Sequence, residues 1–192
     1  MKIVVINGHP DPAPQRFAAA LAAAYAEGAA EGRHQVRRLA VGDLNLPPLA
    51  SMAAFSGPPP DQAAAVQETI AWADHLVLIF PLWCGDMPAI MKGFIERILQ
   101  PGLIRRQGTD QAMNWRIFPG KTARVVMTMG MPTLFYRFWY GANTLRLLKR
   151  NILHFIGVKP VRETLFGMAG EVSTDRRLDW LKQMEALGTA AM

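Results

Sequence analysis

Short apolar runs alternate with longer amphipathic segments along this chain. The runs at 2–7, 76–80 and 122–129 are dominated by apolar and β-branched residues, which is typical of strands buried on both faces of a sheet. Weaker runs at 34–41 and 159–168 predict two further strands. Five strands separated by helical segments predict an α/β fold, in which helices cover both faces of a parallel sheet.

The intervening segments have the spacing of helices. Phe17, Leu21 and Tyr25 recur every four residues and predict one apolar stripe on a helix over 14–31. Gly28 should weaken the last turn of this helix, and Gly32 should end it. Further helices are predicted from 61 to 73 with Asp61 as the N-cap, from 88 to 100 with Pro88 as the first helical residue, and at 144–155 and 171–187.

Two segments predict irregular structure. Residues 42–60 are rich in proline and glycine and predict a long loop that could include one helical turn. Residues 103–120 predict an irregular excursion with a functional or dimer-contact role. Because no repeat or linker is visible, we predict a single domain over residues 1–192. A hydrophobic content of 51% is enough to fill the core of such a domain.

Cysteine usage and hydropathy bear on the compartment. The single cysteine, Cys84, precludes an intramolecular disulfide and fits a reducing compartment, so we expect the cytoplasm. No secretory signal is visible in this sequence, so we expect none, and no apolar run approaches the ~20 residues of a membrane-spanning helix.

The formal charge of +6 allows two interpretations. The arginines and lysines could simply be solvated, or they could attract phosphate-bearing small molecules. We predict no nucleic-acid partner, because the basic residues are dispersed and no groove-reading motif is present. No metal site is predicted either.

The three strongest strands end at Asn7, Phe80 and Met129, and the loops after them should converge at one edge of the sheet, where ligands bind in such folds. In the first loop, His9 and Arg16 flank a helix N-terminus and could donate hydrogen bonds to a phosphate. The alternative is a plain turn in which His9 is packed and Arg16 is solvated. The loop has neither a G-x-G-x-x-G nor a Walker sequence, which disfavours classical dehydrogenases and P-loop enzymes.

The second and third loops could hold a flat ring. Trp83 and Gly85 could cover one face of a flavin, although Trp83 could instead fill the core. Residues 128–131 are small or adaptable and would allow close approach of a ring. The aromatic run FYRFWY at 135–140 could wall a pocket, belong to the core or form a subunit interface.

The segment FPLWCGDMPAIMKGFIER at 80–97 resembles the F-P-L-x-W-x-G-x-P-A-x-x-K-G-[WF] segment of the flavodoxin-like NAD(P)H:quinone oxidoreductases. INGHP at 6–10, TMGMP at 128–132 and NILHFIG at 151–157 resemble that family in the same order. The resemblance implies a flavodoxin-like three-layer sandwich whose five-stranded parallel sheet has the order 2-1-3-4-5. It also implies a homodimer with a flavin at the dimer edge.

The activity that the resemblance implies is two-electron, ping-pong transfer from NAD(P)H to a quinone or a similar flat acceptor, with nitro or azo compounds as further acceptors. FAD is the expected flavin and FMN the alternative. The cofactor-binding residues implied by position are His9, Arg16 and Phe17 along the phosphate and ribityl path, Pro81, Leu82, Trp83 and Cys84 beside the ring, and Thr128, Met129 and Gly130 at its pyrimidine end.

Tyr136 and Asn143 are the catalytic positions that the resemblance implies. Tyr136 would face the ring where nicotinamide and quinone bind in turn. Asn143 stands near the family's histidine position, and an asparagine can form hydrogen bonds but cannot shuttle a proton near neutral pH. The family's tyrosine–histidine pair, which could relay a proton to a quinone, is therefore incomplete in this chain.

Two other function classes remain as alternatives. Some relatives of this fold are ancillary subunits of membrane ion-efflux systems, and a flavin-binding regulatory subunit with little turnover would suit the aromatic run and the basic charge. Such a subunit would bind a membrane partner, which is an alternative that we do not favour. An electron-carrier flavodoxin fits less well, because this chain is basic and lacks a phosphate loop rich in serine and threonine.

Overall fold

The computed structural model describes residues 1–100 and 116–192, and its centre is a five-stranded parallel sheet. The strands are β1 (Lys2–Asn7), β2 (Gln35–Ala40), β3 (His75–Pro81), β4 (Thr122–Thr128) and β5 (Val161–Phe166). Their order is β2-β1-β3-β4-β5, and each neighbouring pair is parallel. The predicted α/β class and the order 2-1-3-4-5 are confirmed.

Helices connect these strands. They are α1 (Phe17–Glu31), α2 (Met52–Ser56), α3 (Asp61–Trp72), α4 (Ala89–Ile98), α5 (Thr133–Phe138), α6 (Asn143–Arg146), a π-helix (Leu147–Leu153) that continues α6, and α7 (Thr174–Thr189). A 3₁₀ turn (Val41–Asp43) follows β2. Gly32 is the C-cap of α1, as predicted.

Several predicted helix boundaries are wrong in detail. Helix α1 begins at Phe17 and not at 14, and α7 covers Thr174–Thr189 and not 171–187. Pro60 is the N-cap of α3 and Asp61 is the first helical residue, where its charge still favours the helix dipole. Pro88 is likewise the N-cap of α4, because its backbone is extended (ψ 144°) and the helix begins at Ala89. The predicted helix at 144–155 changes to a π-helix at Leu147. The short helix α2 lies where the sequence predicts a loop that could include one helical turn, and α5 was not predicted.

The two faces of the sheet bury different side chains of the same strands. Ile3 and Val5 of β1 pack with α1 and α7, whereas Val4 and Ile6 pack with α3 and α4. This period of two follows from the pleat of a strand. Because both faces are covered, the strands read as continuous apolar runs.

Helices α1 and α7 approach closely through two glycines. A Cβ on Gly28 would lie 2.0 Å from the carbonyl oxygen of Glu185, and one on Gly188 would lie 2.2 Å from that of Tyr25. Because Gly28 has no side chain, the two helix backbones can touch. The sequence predicts only that Gly28 weakens the last turn of α1, and not this contact.

Most of the predicted excursion at 103–120 lies outside the described residues. Just before β4, Ile117 and Phe118 are buried in the core. Across the described ranges, no helix is long and apolar enough to cross a membrane.

Candidate functional site

The first loop leaves β1 directly beneath helix α4. The backbone N–H of Gly8 donates to the carbonyl oxygen of Ile79 at 2.7 Å, which extends the pairing of β1 with β3 by one residue. A Cβ on Gly8 would lie 2.7 Å from Sδ of Met91, so only glycine fits here without displacing that side chain. The loop therefore begins at a fixed position on the carboxyl edge of the sheet.

His9 is oriented by its own loop. Its backbone N–H donates to the side-chain oxygen of Asn7 at 3.1 Å. Its Nδ1 lies 3.0 Å from the backbone nitrogen of Asp11 and 2.8 Å from the carbonyl oxygen of that residue. Nδ1 is thus engaged by the loop, and Nε2 is the ring nitrogen that could donate to a ligand.

Arg16 is held within the same loop. Its Nε donates to Oδ2 of Asp11 at 2.6 Å, and the backbone N–H of Ala13 donates to Oδ1 at 3.0 Å. The hydrogen bonds from Ala13 and from Arg16 lower the pKa of the Asp11 carboxyl. Arg16 stands at the N-cap of α1 and makes no side-chain cap bond. A phosphate there would share this guanidinium with Asp11.

The second loop is a tight turn at 83–86. The backbone N–H of Trp83 donates to the carbonyl oxygen of Asp86 at 2.8 Å, and the N–H of Asp86 donates back at 2.9 Å. Between them, Cys84 (φ 50°) and Gly85 (φ 81°) both have left-handed backbone conformations. Two successive positive φ values define the mirror-image turn that reverses a chain in two residues. The turn presents Trp83 and Cys84 to solvent.

This turn is fixed from one side by the chain that follows α5. The hydroxyl of Thr144 donates to the carbonyl oxygen of Gly85 at 2.8 Å. A Cβ on Gly85 would lie 3.1 Å from Cε1 of Tyr140, so the tyrosine ring packs directly on the glycine. From the other side, the ring of His9 meets that of Trp83 edge-on, with centroids 5.7 Å apart. The first and second loops and the segment after α5 are therefore in contact.

The third loop adjoins the second through the sheet. The backbone N–H of Leu82 donates to the carbonyl oxygen of Thr128 at 2.8 Å. The N–H of Met129 donates to the carbonyl oxygen of Phe166 at 2.9 Å, and the side chain of Met129 is buried. Gly130 is exposed, and apart from its chain neighbours no heavy atom of the described residues lies within 4 Å of the position that its Cβ would take. The edge of the sheet therefore has open space at the end predicted to hold the pyrimidine ring.

Tyr136 has no exposed surface in this structure. Its hydroxyl accepts a hydrogen bond from the backbone N–H of Leu145 at 3.3 Å, and burial raises its pKa. Tyr140 stacks beside it at 6.4 Å between centroids and is partly exposed. Tyr140 is thus the tyrosine that the structure places on the open side of the turn, and a catalytic role for Tyr136 stays a prediction.

Asn143 is brought next to Tyr140 by a kink in the backbone. Gly141 (φ 59°) and Ala142 (φ 50°) are both left-handed, and the backbone N–H of Asn143 donates to the carbonyl oxygen of Tyr140 at 3.3 Å. The side chain of Asn143 is exposed. Its predicted place near the site is therefore compatible with the structure, and its catalytic role stays a prediction.

The ring of Phe17, which follows Arg16 at the start of α1, contacts residues of α7. Its ring packs 5.9 Å from that of Trp180, and the guanidinium of Arg177 lies 5.8 Å from its centroid. Phe17 therefore joins α1 to α7. Conversely, sequence reasoning missed Thr144 and did not single out Tyr140. Tyr140 lay within the aromatic run, whereas nothing in the sequence marks Thr144 as a partner of the second loop.

A family model described as a flavodoxin-like fold matches residues 1–187 of this chain. The chain belongs to this family. The resemblance noted from the motifs is thereby confirmed. Among curated relatives, an uncharacterized NAD(P)H oxidoreductase of Haemophilus influenzae is 26% identical over 109 residues, which are 56% of this chain and 53% of that protein. The chain therefore spans about half the length of that relative.

Two solved structures share the flavodoxin-like fold over almost the whole chain. The NAD(P)H:quinone oxidoreductase of Methanothermobacter marburgensis is 21% identical with a TM-score of 0.79, and the match covers 100% of this chain and 96% of that one. An FMN-dependent NADH-azoreductase of Bacillus anthracis, in complex with FMN, is 13% identical with a TM-score of 0.75, covering 99% and 98%. At these identities the likeness concerns the fold.

The residues at this flavodoxin-like edge fit a flavin. The open space at Gly130 and the exposed ring of Trp83 would admit a flat heterocycle. Nε2 of His9 and the first backbone N–H groups of α1 would receive its phosphate. Across the described residues there is no group of acidic, histidine or cysteine side chains that could hold a metal ion.

Proposed function

We propose that this protein is a flavin-dependent NAD(P)H oxidoreductase that reduces quinones or similar flat acceptors. The observation that carries the proposal is the turn at 83–86, which is strained, exposed and fixed from both sides at the carboxyl edge of the sheet. A turn held in this way presents backbone groups and an aromatic ring in one fixed geometry, which ring binding requires. The names of the similar proteins support the same chemistry.

The chain would bind and orient the reactants, while a bound flavin supplies the two-electron transfer. Trp83 and the turn would cover one side of the ring, and the backbone of 128–130 would border its pyrimidine end. Tyr140 would border the place where the nicotinamide and the quinone bind in turn, because its ring packs on Gly85 and keeps an exposed face. Alternation of donor and acceptor in one place gives ping-pong kinetics.

FMN is our proposal for the flavin, in place of the FAD expected from the sequence. The first loop offers one compact anion site, at Nε2 of His9 and the start of α1. Arg16 is already paired with Asp11, and Phe17 packs against Trp180. These contacts favour a mononucleotide, and the FMN-bound azoreductase supports this choice.

Asn143 would orient an acceptor rather than protonate it. Its exposed amide lies beside Tyr140 and can donate a hydrogen bond to a quinone oxygen. The hydroxyl of Tyr136 is buried and bonded to the backbone of Leu145. We infer that the protons for the reduced quinone come from water.

We also propose a cytoplasmic homodimer. The short helix α5 exposes apolar side chains beside the turn, and a second subunit would cover them and close the site. The aromatic patch consists of Leu134, Phe135, Phe138 and Trp139. The one cysteine in the sequence fits a reducing compartment.

The visible spectrum of the purified protein, followed by chromatography of the released cofactor, is the test. We expect a flavin spectrum, FMN on release, bleaching by NADPH or NADH under anaerobic conditions, and recovery on addition of a benzoquinone. Turnover should exceed that of free FMN at the same concentration, which is the control.

A protein that neither contains nor takes up FMN or FAD would overturn the proposal. Tight flavin binding with turnover no faster than free flavin would instead favour the ancillary-subunit alternative. Release of FAD alone would leave the activity in place and refute FMN as the cofactor.

A further inference from the structure

A second cavity opens beside the candidate site, between α5, the π-helix and the edge strand β5. Its volume is about 670 Å³, and basic side chains dominate its lining. We call it the basic cleft and define it by Arg137, Arg146, Lys149, Arg150, His154 and Glu163. Nothing in the proposed flavin site uses these residues.

Two of the cations are neutralised inside the cleft. Arg137 donates to Glu163 at 2.6 Å, and Lys149 donates to the other carboxylate oxygen at 2.8 Å. Although burial alone would raise the pKa of Glu163, the hydrogen bonds from Lys149 and Arg137 lower it. Glu163 therefore stays charged and fixes two walls of the cleft.

Arg146 and Arg150 have no ion-pair partner in the described part of the chain. They are four residues apart, His154 follows at the same interval, and all three are exposed along one side of the cleft. Like charges at this spacing repel each other in a helix. An anion between the two guanidinium groups would relieve that repulsion and could accept several hydrogen bonds.

The basic cleft adjoins the kink that follows Tyr140, the tyrosine beside which we place the nicotinamide. The Cβ position of Gly141 lies 3.9 Å from Nη1 of Arg146, so this guanidinium reaches the kink that follows Tyr140. Ala142 lines the cleft, and Tyr140 packs on Gly85 of the turn. A ligand whose ring lies against Tyr140 could therefore extend around the kink into the cleft.

We propose that the basic cleft binds the 2′-phosphate of NADPH through Arg146 and Arg150, and so makes NADPH the preferred electron donor. This inference rests on the proposed function, because it extends the donor from the flavin site into the cleft. NADH is identical except that it lacks this phosphate. Two guanidinium groups that have no ion-pair partner among residues 1–100 and 116–192 are suited to a phosphate dianion and offer nothing comparable to a ribose hydroxyl.

Steady-state kinetics of the flavin-loaded enzyme test the assignment. Arg146→Gln and Arg150→Gln should each raise KM for NADPH by about tenfold, since one charge-assisted hydrogen bond is worth about that factor. KM for NADH and kcat with saturating donor should change less than twofold. Lys182→Gln, which removes one charge from an exposed position on α7, is the matched control and should leave both KM values unchanged.

Binding of adenosine 2′,5′-bisphosphate, measured by calorimetry, tests the cleft without turnover. Wild type should bind it at least tenfold more tightly than 5′-AMP, and Arg146→Gln/Arg150→Gln should lose that difference. An enzyme that turns over both donors but shows no such preference overturns the cleft assignment and leaves the proposed function standing. An equal rise in KM for NADPH and NADH also overturns it. Preferential binding of the bisphosphate without flavin or turnover would refute the proposed function instead.

Discussion

At the scale of single residues, Cys84 is the least expected feature of the candidate site. An L-residue in the left-handed region costs about 1–2 kcal/mol relative to the right-handed one, and glycine would avoid that cost. The cost is offset by the contacts of its neighbour Gly85 with Thr144 and Tyr140. Strain that the surroundings must hold in place is a frequent property of ligand-binding loops. The backbone of this turn, more than its side chains, is therefore what the fold preserves.

His75 makes stability depend on pH. The side chain is buried at the start of β3, with Nδ1 2.6 Å from the hydroxyl of Thr122, and burial lowers its pKa from 6.5 to about 4. Above pH 6.5 the ring is neutral in both the folded and the unfolded states. Between about pH 6.5 and 4 the unfolded state binds the proton first. We therefore expect the free energy of unfolding to decrease as the pH is lowered through this range, by about 3 kcal/mol in all.

Urea denaturation at intervals from pH 7.5 to 4.5 measures this dependence. His75→Phe keeps a ring against Tyr25 and should remove the part of the slope that lies between pH 6.5 and 4. The same slope in this variant would show that other groups cause it and would contradict the assignment to His75.

At the scale of elements, the strands were predictable because apolar, β-branched runs persist where both faces of a sheet are buried. The π-helix was not predictable from the same patterns. Its buried residues Leu148 and Leu153 are five apart, which suits i→i+5 bonding, but the surrounding apolar residues also satisfy a period of 3.6. The apolar pattern of α4 likewise gave no sign that Arg97 is buried and donates to the backbone of Pro47.

The place of the candidate site was predictable because the strands that lead to it were predictable, whereas the roles of its individual residues were not. The three loops follow from the ends of the strongest strands, and the structure brings them together. The run at 135–140 is aromatic at five of its six positions, so no polar alternation distinguishes buried Tyr136 from exposed Tyr140. Contacts such as that of Thr144 with Gly85 depend on tertiary packing over 59 positions and leave no local pattern.

A glycine in a helix can either weaken the helix or allow a close contact with another helix, and the sequence alone does not distinguish the two. Substitution by alanine does. Gly28→Ala adds a Cβ within 2.0 Å of the backbone of Glu185, so we expect the free energy of unfolding to fall by about 1–3 kcal/mol, as for other overpacked sites. Gly93→Ala on α4 is the matched control, because in the described parts of the chain its Cβ would meet no heavy atom within 4 Å beyond its neighbours and the backbone of its own helix. There the better helix propensity of alanine should stabilise the protein by up to about 1 kcal/mol.

Thermal and urea unfolding of the two variants beside wild type measure both effects. A stabilised Gly28→Ala would mean that α1 and α7 can separate without loss, and would refute the close contact. A lower free energy of unfolding for Gly93→Ala would show that alanine destabilises these helices even where its Cβ meets no neighbour. The loss in Gly28→Ala could then not be assigned to overpacking.

At the scale of the whole molecule, the aromatic patch is the feature that a monomer leaves unexplained. Phe138 and Trp139 are 83% and 78% exposed, and Phe135 stacks on Trp139 with rings nearly parallel. Apolar side chains grouped in this way mark an interaction surface. Because Tyr140 joins the patch to the turn at 83–86, a subunit docked here would also border the proposed ring site.

Sedimentation velocity at several protein concentrations tests this arrangement. We expect a dimer for wild type and a shift to monomer for Phe138→Ser/Trp139→Ser, since the loss of two buried aromatic anchors typically costs an interface several kcal/mol. Met52→Ser removes an apolar side chain that is 75% exposed on α2 and should leave the dimer intact. The double variant should also lose most quinone turnover while retaining its fold by circular dichroism, because the partner subunit would close the site. A monomeric wild type with full turnover would refute both the dimer and the role of the patch in closing the site.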